Sequence, residues 1–354
     1  RATGEGGPTF ALVQHVRDVP FMEAVEFVSD EKPPISGRVE TDAEKRQREE
    51  KLEREERAAQ KRRAEQELEG RHFRENERRR AFEDWERGRG IAGTIVIEYL
   101  TKRGLEAPPE ARFRFVADAR YWDRPPKDGG KVLFSGPCML AAMTRYSARR
   151  GVEVFSCLHR TWIDLAEPKG KKKVLDAKSG ELVSAKKMRG SKKGASILLA
   201  RKPNAAGKIV RWFLSEGNEN GLAVWRVLRD KASPLLDGAE FRAAGDLGNL
   251  SGKAKKRIPH PTRTVTDKRG RVRRDMVPGP DPQQPDEDPV IFIPDDVEEL
   301  YLIEDGSSEP FFTHNAILRA AARFSREFPR LAIYRISATP GLDHNDMLIA
   351  GGAA

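Results

Sequence analysis

Ile209-Val210-Arg211-Trp212-Phe213-Leu214-Ser215-Glu216-Gly217 is an apolar run that stops at a carboxylate followed by glycine. About ninety residues later, Leu300-Tyr301-Leu302-Ile303-Glu304-Asp305-Gly306 repeats the pattern. Apolar runs of this length, closed by Gly, predict strands buried in a parallel sheet. Each is followed by a helix-patterned stretch. The first is Asn220 to Asp230, with Leu222, Val224, Trp225 and Leu228 on its apolar positions; the second is Asn315 to Phe328, rich in Ala and Arg. A third strand, Leu331-Ala332-Ile333-Tyr334-Arg335-Ile336, leads to Gly341-Leu342-Asp343-His344-Asn345-Asp346. Strand, helix, strand, helix, strand predicts a doubly wound sheet. Such sheets bind ligands beyond the carboxyl ends of their strands. Glu216 and Asp305 are therefore the first candidate site residues, and two carboxylates there can hold Mg²⁺.

The 354 residues suffice for two domains plus linkers. A net charge of +10 suits a polyanionic partner. That charge is unevenly placed: residues 168–208 carry 13 basic and 2 acidic side chains, and residues 251–274 carry 10 and 1, so the basic field flanks the first strand and helix. Residues 286–309 hold 10 acidic side chains and no basic ones, next to Asp305. No apolar run approaches the ~20 residues of a membrane span, so a membrane partner is not expected and a cytoplasmic location is. Cys138 and Cys157 are too few for a disulfide scaffold or a four-Cys zinc site, and read as small buried hydrophobes.

Residues 1–40 contain Gly4-Glu5-Gly6-Gly7-Pro8 and two short helix patterns, the second at Pro20 to Val28. Residues 41–90 are dominated by Glu, Arg, Lys, Gln and Ala with no Pro, which predicts a long solvated helix braced by i,i+4 ion pairs, with Phe73, Phe82 and Trp85 docking near its end. A sustained apolar heptad is missing, so a coiled coil is not expected. Residues 91–210 read as a mixed domain, with a helix through Tyr99-Leu100 and a hairpin containing Val152 to Trp162. Residues 231–290 hold Pro259, Pro261, Pro278, Pro280, Pro282, Pro285 and Pro289 together with Lys253 to Arg257 and Arg269 to Arg274. They read as a loosely packed basic insertion.

The segment from Val210 to about Ala350 resembles a Toprim domain, the metal-binding module of bacterial-type primases, topoisomerases and some nucleases. Glu216-Gly217 matches its first motif, and Asp305-Gly306-Ser307 its Asp-x-Asp motif with Ser as the second acid. Gly341-Leu342-Asp343-His344-Asn345-Asp346 is similar to the closing Gly-x-Asp-x-Asn-Asp of primase-like proteins of phages, plasmids and integrated elements. Upstream, His159-Arg160-Thr161-Trp162 and Lys187-Met188-Arg189-Gly190 resemble the amino-terminal subdomain of a primase core. Residues 1–40 resemble the tail of the zinc module that precedes many primases, without its ligands. Such a zinc site would belong to an upstream module not present in this sequence.

The resemblance implies an α+β and α/β architecture: a long charged helix, a primase-like mixed subdomain at 91–210, and a Toprim doubly wound sheet at 211–350 with the insertion 231–290. It implies Glu216 and Asp305 as catalytic residues. Mg²⁺ or Mn²⁺ would sit on Glu216, Asp305, Ser307, Asp343 and Asp346. Arg160, Lys186, Lys187, Arg189, Lys192 and Lys193 would face nucleotide or nucleic acid. Asp343 and Asp346 are equally suited to capping a helix. A neutral Ser307 is a poor substitute for a carboxylate on Mg²⁺. The implied activity is primer synthesis by a DNA-directed RNA polymerase of primase type, on single-stranded DNA with ribonucleoside triphosphates. The alternatives are a Toprim nuclease and a non-catalytic DNA-binding protein with a decayed site. No Gly-x-x-x-x-Gly-Lys-Ser/Thr loop occurs, so a replicative helicase would be a partner chain and not this one.

Overall fold

The computed structural model describes residues 9–30, 41–125, 128–176, 179–267, 270–286 and 288–351. The chain divides into two compact units, residues 1–70 and 71–354. In the first, α1 (Thr9–Arg17) and α2 (Phe21–Ser29) form a short hairpin, with Phe10 edge-on to Phe21 at 5.9 Å. The glycine-rich Gly4 to Pro8 lies outside the described residues. The composition of 41–90 gives the single helix α3 (Asp42–Arg87). It opens with a capping box: the Thr41 amide donates to Glu44 Oε2 at 2.9 Å, and the Glu44 amide donates to Thr41 Oγ1 at 3.3 Å. Glu53 and Arg57 form one of its i,i+4 pairs at 3.0 Å.

The second unit begins with the end of α3, followed by α4 (Ile95–Lys102), whose N-cap Thr94 accepts from the Val96 amide. Then come β1 (Phe113–Trp122), β2 (Val132–Ser147), β3 (Val152–Trp162), the small pair β4 (Val174–Leu175) and β5 (Leu182–Val183), β6 (Lys186–Gly190) and β7 (Ser196–Lys202). After these lie β8 (Arg211–Ser215), α5 (Asn218–Asp230), β9 (Ala239–Ala243), α6 (Leu247–Ser251), β10 (Arg257–Thr266) and β11 (Val272–Pro278). The chain closes with β12 (Glu299–Ile303), α7 (Pro310–Glu327), β13 (Ala332–Ile336) and α8 (His344–Gly351). One nine-stranded sheet runs β13-β12-β8-β9-β7-β2-β3-β6, with β1 also paired to β2. The neighbours from β13 to β9 are parallel and the rest antiparallel. The expected parallel strands and the expected antiparallel hairpin are thus parts of a single mixed sheet.

Period-two alternation explains the continuous apolar strands. In β8, Phe213 enters one core with α4 and α5, whereas Trp212 and Leu214 enter the other with Ile317, Ala320 and Phe324 of α7. In β12, Leu300 and Leu302 share the α7 core. Helices on both faces are what the doubly wound pattern demands. Across the first face runs a ladder of directly opposed rings. Phe213 stacks on Phe241 at 4.4 Å and on Tyr301 at 4.5 Å, and Tyr301 stacks on Tyr334 at 4.8 Å. These separations match the spacing of adjacent strands, so the ladder fixes the register of all four.

The segment 231–290 differs from the loose insertion expected. Its Ala239–Ala243 is a central strand, β9, parallel to β8 and antiparallel to β7. Glu240 and Arg242 interrupt its apolar pattern but are buried together and paired to each other, with Glu240 also bonded to Arg201 at 2.8 Å. The prolines 259, 261 and 278 fall in the separate exposed pair β10–β11, where a missing N–H is tolerated.

At the helix end, Phe82 packs edge-on against Phe155 at 5.3 Å and Trp85 lies under the Arg114 guanidinium at 4.5 Å. Cys138 and Cys157 are free and buried, as expected, and burial pushes both thiols up to about 12. Among the described residues no helix is long and apolar enough to cross a membrane. Phe213→Ala, which removes the central ring of the ladder, is expected to lower the unfolding free energy by about 3–5 kcal/mol. Urea titration followed by circular dichroism checks this.

Candidate active site

The parallel strands end together at one cleft of about 780 Å³. Backbone bonds tie the ends: the Ala244 amide donates to Ser215 O and the Gly245 amide to Glu216 O, both at 2.8 Å, while the Glu304 amide donates to Ile336 O at 2.9 Å. Glu216 follows β8, Asp246 follows β9 and Asp305 follows β12, and all three line the cleft. Two glycines make these turns. Gly245 has φ +88°, a left-handed conformation that side chains disfavour. At Gly306 a Cβ would lie 2.4 Å from the Leu342 carbonyl, so the backbone after Asp305 passes where only glycine fits.

Glu216 is half-buried, and its Oε2 is buried with no hydrogen bond. Burial, reinforced by repulsion from Asp305 and opposed by Lys186, raises its pKa to about 7. Asp305 Oδ1 accepts from the Ser307 amide at 2.9 Å and from Ser307 Oγ at 2.7 Å. Ser307 thus holds the neighbouring carboxylate. Asp343 lines the cleft, but its Oδ1 accepts from the Asp346 amide at 2.6 Å and its carboxylate lies 3.8 Å from Arg103. It caps α8. Asp346 does not line the cleft and pairs with Lys169 at 3.0 Å. Among the described residues no three His, Cys, Asp or Glu side chains converge on a point where one ion could sit. Glu216 and Asp305 fit the looser mode in which one or two carboxylates hold Mg²⁺ and water and substrate phosphates complete the shell. The orphaned Glu216 Oε2 is the observation that favours it.

Opposite these acids stand cations. Lys186 and Lys171 both bond a carboxylate that sequence reasoning missed, Glu219 on the first turn of α5, at 3.1 and 2.8 Å. Tyr99 of α4 donates to the same group at 2.7 Å. Burial penalises the Glu219 charge, but the two lysines outweigh it and hold the pKa well below the usual carboxylate range. Burial lowers Lys171 to about 8, with Glu219 opposing. His159 lies in the same wall, and burial drives its pKa down to about 3, so it stays neutral. Lys192 lines the cleft and pairs with Asp246.

The alternation of β3 and β6 splits the expected basic set. His159 pairs with Met188 and Thr161 with Lys186 on the cleft side, so the pairs Arg160–Lys187 and Leu158–Arg189 project from the opposite side. There Arg160 lies over the Trp162 ring at 5.2 Å and Lys187 over Tyr121 at 4.1 Å. Arg189 bonds Glu77 at 3.2 Å and Asp84 at 2.8 Å on α3. These side chains border a second hollow of about 460 Å³ with Phe73 and Trp122, and Lys187 lies at the rim of the cleft as well. Lys193 is outside the cleft and pairs with Asp288. Asp246 had a visible signal, because Ala243-Ala244-Gly245-Asp246 is again a strand closed by glycine and carboxylate.

The model of a family described only as a domain of unknown function, DUF7146, matches residues 75–199, about a third of the chain and ending within β7. No curated protein and no solved structure matches the chain.

The raised pKa of Glu216 has a stability consequence with a definite sign. Its folded-state value, about 7, lies above its ordinary 4.5, so between these values the folded state binds the proton more tightly. The resulting stabilisation is present at low pH and is lost as pH rises through 7. In metal-free buffer, Glu216→Gln is therefore expected to gain about 1–3 kcal/mol on the wild type between pH 5 and pH 8. Equal pH dependence of the two proteins in urea titrations would contradict the assignment.

Proposed function

We propose that this chain is a primase-like nucleotidyltransferase with a Toprim-type site, which joins ribonucleotides on a single-stranded DNA template. The observation that carries the reading is the meeting of Glu216 and Asp305 at parallel strand ends, opposite Lys171, Lys186 and Lys192 in one cleft. That charge division suits a reaction in which a hydroxyl attacks a phosphorus bearing negative oxygens. The bond formed is from the primer 3′-oxygen to the α-phosphorus; the bond broken is from that phosphorus to the leaving pyrophosphate. Glu216 is suited to take the hydroxyl proton, since a base with a pKa near 7 works best near neutral pH. Lysine ammonium groups stabilise the charge that accumulates on the phosphoryl oxygens and on the departing pyrophosphate. Mg²⁺ or Mn²⁺ held by Glu216 and Asp305 would supply Lewis-acid activation of the phosphoryl group. Asp305, fixed by Ser307, keeps its other oxygen clear of that hydrogen bond.

One observation favours a second reading. Ser307 is neutral, and no compact three-acid cluster occurs among the described residues. A DNA-binding protein with a weakened site would have these features. The two readings diverge experimentally. Primer synthesis on single-stranded DNA with labelled ribonucleotides is expected in Mn²⁺ or Mg²⁺. Glu216→Gln is expected to reduce it by about a hundredfold or more, within the range that general-base catalysis contributes. A variant as fast as wild type would contradict the polymerase reading. No product from wild type, followed by activity in Ser307→Asp, would establish the weakened site. Nicking of plasmid without nucleotides would instead identify a nuclease.

A further inference from the structure

The charges lining the cleft do not cancel pairwise. Lys192 is matched by Asp246, Arg103 by Asp343, and Lys169 by Asp346. Among the described residues, Glu216 and Asp305 have no cationic partner at bonding distance, on the acidic side. On the other side two ammonium groups share the single carboxylate of Glu219, whose side chain is only 7% exposed. A purely structural buried ion pair needs one cation per anion, because each unmatched charge costs desolvation. The Lys171–Glu219–Lys186 group carries one surplus positive charge and opens onto the cleft. His159, neutral beside it, does not offset that charge.

We infer that Glu219 is a positioning residue that, with Tyr99, holds Lys171 and Lys186 as a fixed pair of ammonium groups receiving a polyphosphate chain. Lys171 bridges Ile163 and Lys186 pairs with Thr161, so the backbone brings both lysines to the end of β3 without offsetting the repulsion between their ammonium groups. Left alone, two buried ammonium groups repel. The shared carboxylate keeps both charged and close, and the Tyr99 hydroxyl, 2.7 Å from Oε1, fixes the carboxylate's rotation. The α5 backbone supplies the last constraint. Gly217 is its N-cap, and a Cβ there would lie 3.8 Å from Lys186 Nζ, which places the ammonium beside the same turn that carries Glu216. The turn from β8 into α5 therefore places the residue for the reacting hydroxyl and the residue that sets the phosphate-binding lysines. The inference rests on the proposed nucleotidyl transfer only for what the polyphosphate is attached to.

The test uses the whole chain, inorganic tripolyphosphate and EDTA, with binding measured by isothermal titration calorimetry at pH 7. Wild type is expected to bind in the range of about 1 mM or tighter, and Glu219→Gln about tenfold more weakly. Glu219→Asp, which keeps the charge, is expected to recover part of the loss, and Lys202→Gln on an exposed strand end to leave binding unchanged. Folding of each variant is followed by circular dichroism. A folded Glu219→Gln protein with wild-type affinity overturns the inference, as does a wild type that shows no binding at ~10 mM. If Glu219→Gln does not fold, Lys171→Gln decides: a tenfold loss supports the pair, and unchanged affinity overturns it. Tripolyphosphate binding that depends on Glu219 in a protein that makes no primers would uphold this inference while removing the polymerase reading. Primer synthesis that ignores Glu219 would do the reverse.

Discussion

The ring ladder Phe241–Phe213–Tyr301–Tyr334 is the constraint on which the rest depends. Each ring is directly opposite the next in the sheet, so the ladder cannot persist if any strand slips by one residue. Slippage would also swap the two cores, sending Trp212 and Leu214 to the α5 side. With the register fixed, β8, β9 and β12 end at the same level, and their last residues meet across one cleft. Glu216, Asp246 and Asp305 are neighbours because the rings above them are.

The cleft acquires its chemistry from the way charges are divided at that level. Burial and the proximity of Asp305 keep Glu216 near neutrality in pKa, whereas Glu219, three residues on, is held ionised by two lysines. Two carboxylates three residues apart, one just before α5 and one on its first turn, thus have opposite proton affinities, set by their neighbours. Antiparallel strands extend the same sheet and bring Lys186 to the cleft from β6. The mixed topology therefore matters to the site: the parallel half supplies acids and the antiparallel half supplies the opposing cation.

Much of this was legible in the sequence. Long apolar runs closed by glycine announced β8 and β12, and the charged, proline-free run announced α3. Asp343 stands where a helix cap was one of two readings, and it bonds the Asp346 amide. β9 was hidden because Glu240 and Arg242 break its apolar pattern, and their mutual pairing appears only when β7 and β9 meet. Glu219 was overlooked because a carboxylate at the first turn of a helix ordinarily reads as a surface charge favoured by the helix dipole. Its partners lie 120, 48 and 33 residues away, at Tyr99, Lys171 and Lys186. Arg160, Lys187 and Arg189 were grouped with Lys186 by residue type. Strand alternation projects their side chains from the other face of the sheet, where Arg189 bonds Glu77 and Asp84 of α3.

The most direct measurement of the central claim is Mn²⁺ binding by electron paramagnetic resonance, with and without ATP. If Glu216 and Asp305 share an ion in front of the lysine pair, ATP tightens Mn²⁺ binding to the wild type, and Asp305→Asn abolishes that gain while leaving the protein folded. Mn²⁺ binding that is unaffected by ATP, or equal in wild type and Asp305→Asn, would contradict it.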